Sequence, residues 1–199
     1  GNVGGTITVA GGLLNFLPAS GTADVISNSS GLTFNADSIT GNGLAGGTFR
    51  YTGFSSGNSE TMGILTPTLG AGTINVVAGA SGNTQLTFGS LGTRGANATV
   101  NFAANTAAGG TANIQFTAAP TGANGILGGW AYITDPVTGG IDFLATPTAS
   151  GNIVALGAAT VFPTATGAAA SNYILNANTN TTAAVAANSV RIVGGNNLT

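Results

Sequence analysis

The chain has 199 residues and a formal net charge of −2, and only 4% of its residues are charged, against roughly 25% in a typical globular domain. It contains no Lys, His or Cys. Catalytic Ser–His and Cys–His pairs are therefore excluded. Three scattered Arg are too few for a phosphate-binding patch, so nucleic acid is excluded as a partner. Hydrophobic residues make up 43% of the chain, which argues against a disordered linker.

Taken in chain order, short segments alternate apolar and polar residues, as a strand with one buried face does. The polar residues at their centres are Thr8, Thr33, Arg50, Asn75, Thr87, Asn101, Gln115, Asp142 and Arg191. Each is predicted to point outward, and Gly-rich turns separate the segments. Only the Ala-rich stretches 166–171 and 182–188 could form short helices. No run of about 18 apolar residues occurs, so no membrane-spanning segment is predicted.

Many short strands are compatible with a sandwich, a closed barrel or a solenoid. A sandwich usually guards its edges with charged residues, which this chain lacks, so the composition favours an all-β solenoid with little or no α-helix. The segments recur every ~11–17 residues, which is roughly two per coil of a repeat protein. About nine coils, stacked at ~4.8 Å, would form a rod on the order of 40 Å long.

The order of several pieces is more specific than their periodicity. They are LAGGTFRYTG (44–53), LTPTLGAGTINVV (65–77), TQLTFGSLGTRGANATVNF (84–102), NGILGGWAYI (124–133), GIDFLA (140–145) and GNIVAL (151–156). In this order the run from Leu44 to Leu156 resembles the autotransporter-associated β-strand repeat proteins of bacteria. The head, GGTITVAG (4–11), and the tail, NSVRIVGGNNLT (188–199), fit the same pattern. The insert ITDPVTGG (133–140) departs from it and indicates a longer loop with a turn at Pro136.

The resemblance implies a right-handed parallel β-helix that is secreted by a bacterium and exposed at or beyond the outer cell surface. It transfers no catalytic motif. We therefore expect residues 1–199 to form a single β-solenoid segment, which belongs to a longer repeat chain or to an assembly.

Candidate acids for catalysis or metal binding are few. They are Asp24, Asp37, Glu60, Asp135 and Asp142. Asp135 and Asp142 could approach each other across the Pro136 loop, as glycosidic chemistry requires. The simpler interpretation is that Asp135 starts a turn, and that Asp142 is an outward strand residue or a loop cap. We predict no catalytic residue, cofactor or metal ion, although an incidental calcium site at Asp135 or Asp142 stays open.

Rare residues concentrate between Gly125 and Phe143, which include the only Trp of the chain. Trp130, Tyr132 and Phe143 could form a platform for stacking a sugar. The favoured interpretation is that Trp130 fills the interior of the solenoid, where alternating residues pack in rows. Arg94 is expected at a corner, in a salt bridge or bonded to carbonyl groups.

These observations predict an extracellular structural protein: a rod-like surface spacer, or a fibre or filament subunit, with no enzymatic activity. Uncapped solenoid ends predict end-to-end self-association. The alternative is an adhesin or glycan-binding passenger domain that uses the Trp130–Phe143 region to bind a surface glycan.

Overall fold

The computed structural model describes residues 2–21, 24–36, 46–105, 109–134, 140–157 and 159–199. Every regular element within these residues is a β-strand, so the all-β prediction is confirmed. The two Ala-rich stretches, 166–171 and 182–188, form turns and irregular structure instead of the short helices allowed above.

The strands follow one another as β1 to β13 in chain order. They are Ile7–Val9, Gly12–Phe16, Leu32–Asn35, Gly47–Thr52, Asn58–Val77, Gly82–Leu91, Ala98–Asn105, Gly110–Phe116, Ala131–Thr134, Ile141–Phe143, Thr160–Val161, Asn172–Leu175 and Ser189–Ile192. The first ten belong to one sheet, and the last three form a second sheet.

The first nine strands wind into a solenoid with two faces. The first face stacks β1, β3, the first part of β5, β6 and β8, and every neighbouring pair is parallel. The second face stacks β2, β4, the second part of β5, β7 and β9, again in parallel. The 20-residue strand β5 runs across both faces and joins them into one sheet. The predicted β-solenoid fold is therefore confirmed.

The number of coils was overestimated. The solenoid has about four turns, not the nine expected. Successive coils differ in length, since Ile7 lies beside Leu32, 25 residues later, and Leu32 lies beside Leu65, 33 residues later. Beyond β9 this parallel stack ends: Leu144 and Ala155 form an antiparallel bridge, as do Gln115 and Asn152. The segment that contains Leu144, Asn152 and Ala155 crosses the end of the stack instead of adding a coil to it. Fewer residues therefore remain for further coils.

Apolar rows run through the interior of the solenoid because every second residue of each strand points inward. On the second face one row aligns five side chains from five strands: Leu14, Phe49, Ile74, Phe102 and Ile133. A row on the first face aligns Met62, Phe88 and Phe116. The rings of Phe102 and Phe116 meet across the interior at 6.3 Å, so the two faces share one continuous core.

The outer surface carries hydrogen-bonded polar ladders. The Gln85 amide donates to the side chain of Gln115 at 3.0 Å, and Gln115 donates to Asn152 at 2.6 Å. On the other face, Asn105 donates to the Asn75 side chain at 2.8 Å. Hydrogen bonds between uncharged side chains therefore connect successive coils on the outer surface, and packing of the apolar rows connects them in the interior.

Two predicted strands present their side chains differently from the expectation. In β10, Ile141 is 62% exposed and Asp142 is only 11% exposed, so the polar residue does not point outward. The reason is that β10 pairs antiparallel with β9, as a hairpin, and is not a new coil of the stack. In β13 the alternation also fails, because Ile192 is 55% exposed and the Arg191 side chain is only 25% exposed.

The last three strands form a smaller parallel stack with its own core. β11 pairs with β12 and β12 with β13. Phe162, Tyr173 and Leu175 are buried between them, and the rings of Phe162 and Tyr173 meet edge-on at 5.7 Å. Asn172 donates from its side chain to the backbone oxygen of Asn124 at 2.7 Å, so this stack contacts the end of the main solenoid.

Candidate functional site

An ion pair joins the two stacks. Arg191 of β13 lies 2.6 Å from the Oδ2 atom of Asp142 in β10. The other carboxylate oxygen of Asp142 accepts a hydrogen bond from the backbone N–H of Phe143 at 2.8 Å. Asp142 is therefore engaged by a cation and by the backbone. Its Oδ2 atom also accepts from the N–H of Gly157 in the following loop at 3.4 Å, so Asp142 caps a loop, as one of the two sequence readings predicts, and is not an outward strand residue.

A shallow groove of about 180 Å³ lies over this ion pair. Six residues line it: Tyr132, Ile141, Asp142, Phe143, Val190 and Arg191. The rings of Tyr132 and Phe143 lie 6.4 Å apart, tilted by 34°, and both are half-buried. The arrangement brings together two of the three aromatic residues expected in a sugar platform, beside a charged pair.

Trp130 lies outside this groove and in a turn before β9. Its ring is half-buried and packs against the core from the side, so it does not plug the interior as expected. The guanidinium of Arg94 lies 5.6 Å from the centre of the ring, a cation–π contact. Arg94 also donates to the backbone oxygens of Ala96 and Ala98, each at 2.9 Å, which matches its predicted role of bonding carbonyl groups at a corner.

The structure brings two acids together that the sequence did not pair: Asp24 and Glu60. Glu60 is 2% exposed and accepts a hydrogen bond from the backbone N–H of Val25 at 3.0 Å. Burial raises the pKa of Glu60 to about 7, and the neighbouring Asp24 carboxyl, which hydrogen-bonds to it, adds to the rise. A signal for this was available, because strict alternation with the apolar Met62 places Glu60 inside.

The buried phenol of Tyr51 lies near the same acid. Its hydroxyl accepts a hydrogen bond from the side-chain amide of Asn58. Burial raises the pKa of Tyr51, and the charge of Glu60 raises it further. The buried side chains of Tyr51, Asn58 and Glu60 therefore form a polar cluster within a mainly apolar core, with Asp24 on its exposed side.

Asp37, Asp135 and Pro136 lie outside the described residues, so the expected approach of Asp135 to Asp142 is not described either. Among the residues that the structure describes, no three acids cluster as a metal site would require. Within the same residues no helix could span a membrane.

Comparisons with protein-family models, with curated proteins and with solved structures found no match for this chain.

Proposed function

We propose that this chain is an extracellular structural protein of a bacterial surface, a β-solenoid rod that acts as a spacer or as a fibre subunit. The observation that supports this proposal is the uninterrupted stack of parallel strands on both faces. A load along the rod passes through each coil interface in turn and is carried there by the backbone hydrogen bonds of both faces together, which is a mechanical role and needs no catalytic group.

The surface of the rod also suits this role. Its outward ladders are built from amides and hydroxyls, such as the contact of Asn101 with Thr134 at 3.0 Å. Each such bond stabilises by about 1 kcal/mol and depends little on salt, in contrast to a surface of ion pairs. A rod of this kind keeps its shape under the variable ionic conditions outside a cell.

One end of the stack supports the proposed self-association. Among the described strands, β1 pairs only with β3 and β2 pairs only with β4, so their outer edges face away from the stack. Leu13 and Leu17 beside this edge are 60% and 65% exposed. An open edge of this kind accepts a further strand. A coil from another copy, or from a longer chain, would continue the ladder.

The test is sedimentation velocity of the purified chain over a concentration series. We expect species that grow with concentration. Leu13→Lys adds a charge at the open edge and should raise the concentration needed for association by about tenfold, or ~1.4 kcal/mol. Thr99→Lys, on an outward position in the middle of the rod, is the matched control and should leave association unchanged. A single species at all concentrations, or equal effects of the two variants, would contradict the proposal.

We propose glycan binding as a second candidate function, because Tyr132 and Phe143 stand together beside the Asp142–Arg191 pair. Aromatic rings stack on sugars, and charged groups hydrogen-bond to their hydroxyls. In saturation-transfer NMR with bacterial surface oligosaccharides, Tyr132→Ala should weaken binding about tenfold. Val154→Ala, at an exposed position outside the groove, should not. Equal binding by both variants would rule out this groove as the site.

A further inference from the structure

Glu60 occupies an interior position that the next two coils fill with apolar residues. In the register of the first face it lies beside Leu86, which lies beside Ile114. Its side chain is 2% exposed, like those of its neighbours. A buried acid with no compensating cation is costly to ionise. In the described part of the chain the one ion pair joins Asp142 to Arg191, so no cation is paired with Glu60.

Instead of a cation, a second acid faces Glu60. The side chain of Asp24 hydrogen-bonds with the Glu60 carboxyl, which requires a proton between the two groups. Asp24 is exposed and also accepts a hydrogen bond from the side-chain amide of Asn2 at 2.8 Å. Two carboxyls that share a site cannot both ionise without a penalty, so the protonation of this pair is tied to its geometry.

The groups around the pair can be named from each packed element. Asp24 comes from the segment before Ile26, which is itself fully buried. Tyr51 comes from β4 and stays neutral, since its pKa is raised. Leu86 of β6 is apolar. Glu60 is therefore the group whose charge changes around neutral pH at this position.

The pair also links two parts of the fold. The Glu60 carboxyl accepts from the N–H of Val25, and residues 25–27 in turn hold the start of the chain. Val3 donates to the Val25 oxygen at 3.0 Å, and Ser27 donates to the Val3 oxygen at 2.8 Å. The hydroxyl of Ser30 also donates to Val3 at 3.1 Å. The first coil is thus attached to β5 by two contacts of Glu60: the Val25 N–H bond, which the ionised carboxyl accepts more strongly, and the Asp24 contact, which needs a proton.

We infer that Asp24 and Glu60 form a proton-dependent clasp: one shared proton holds residues 24–27, and with them the first coil, on β5, and loss of that proton loosens the attachment. The direction follows from linkage. Glu60 has a higher pKa in the folded chain than in the unfolded one, so the folded state binds the proton more tightly. The stability from the clasp is complete below pH 4.5, the ordinary value for Glu, and is lost as pH rises through about 7.

The chain has a single Glu, which allows a direct test. Growth with ¹³C-labelled glutamate places a single Glu side-chain carboxyl signal in the NMR spectrum of the intact chain. We expect this signal to titrate with a midpoint near 7. In Asp24→Asn the midpoint should fall, because the like charge is gone, but stay above 4.5 because Glu60 is still buried. A midpoint near 4.5 in the unmodified chain would overturn the inference.

A second measurement tests the effect on stability. The melting temperature of the unmodified chain should be lower at pH 8 than at pH 5 by on the order of 5 °C. Glu60→Gln keeps the shape and a side-chain oxygen but cannot ionise, so its melting temperature should be the same at both values. Asp142→Asn removes a different, half-buried carboxylate and should keep the pH dependence. A pH dependence that survives Glu60→Gln, or that Asp142→Asn abolishes, would contradict the clasp.

Discussion

Replacing Phe102 by Ala is expected to lower the free energy of unfolding by about 4 kcal/mol, as for other buried Phe→Ala changes. The Phe102 side chain is fully buried. It lies between Ile74 and Ile133 in its row and contacts the ring of Phe116 on the other face. Truncation removes contacts to both faces and leaves a cavity that stacked strands cannot close. Equilibrium denaturation in urea measures the loss.

The matched control is Thr99→Ala in the same strand. Thr99 lies on the outward side of β7, and changes at such surface positions usually stay within about 0.5 kcal/mol. If the two substitutions destabilise the chain equally, the interior row is not the main source of stability and the assignment of faces is wrong.

Replacing Gly79 by Ala is expected to cost about 3 kcal/mol, at the upper end of the range for overpacking. Gly79 lies at a corner where successive coils touch. A Cβ atom on it would lie 1.7 Å from the backbone oxygen of Phe54 in the preceding coil. The next coil also approaches closely, since a Cβ atom on Gly110 would lie 2.2 Å from the oxygen of Gly79. The backbone of Phe54 cannot move aside without separating the two coils. Thermal or urea unfolding of the variant measures the resulting loss in the free energy of unfolding.

Gly129→Ala is the control for this change, because nothing lies within 4 Å of its added methyl group. Its stability should match that of the unmodified chain within about 0.5 kcal/mol. A Gly79→Ala variant as stable as Gly129→Ala would show that the coils are spaced more widely at this corner than described.

The architecture was predictable because each coil repeats the same physical requirement. Segments such as Phe49–Tyr51 and Val100–Phe102 must bury every second side chain, and the alternation of apolar and polar residues records this directly. The number of coils was not predictable in the same way. Coil length depends on the loops between strands, and Gly-rich loops carry no periodic signal. The β12 segment, Asn172–Leu175, was also missed, since its NYIL sequence does not alternate.

The contacts of the rare residues were only partly predictable. The alternation of apolar and polar residues predicts that Ile141 and Phe143 lie on the same face of their strand, but it does not predict which face is buried. The antiparallel pairing of β10 with β9 turns Asp142 inward. Its partner Arg191 is far away in the sequence, so no local pattern could indicate the pair. The Glu60 side chain could have been predicted to point into the core, because Glu60 lies two residues before the apolar Met62 in an alternating segment. Asp24 could not, because it lies in an irregular segment. The resemblance to autotransporter-associated repeat proteins stays a prediction.

The central claim is that the chain is a structural rod whose stack is extended by another unit at the open edge of β1 and β2. X-ray diffraction from aligned, concentrated protein tests it most directly. We predict a meridional reflection at about 4.8 Å, the spacing of stacked strands, parallel to the long axis of filaments visible in the electron microscope. Single, separate particles that give no oriented reflection at any concentration would contradict it.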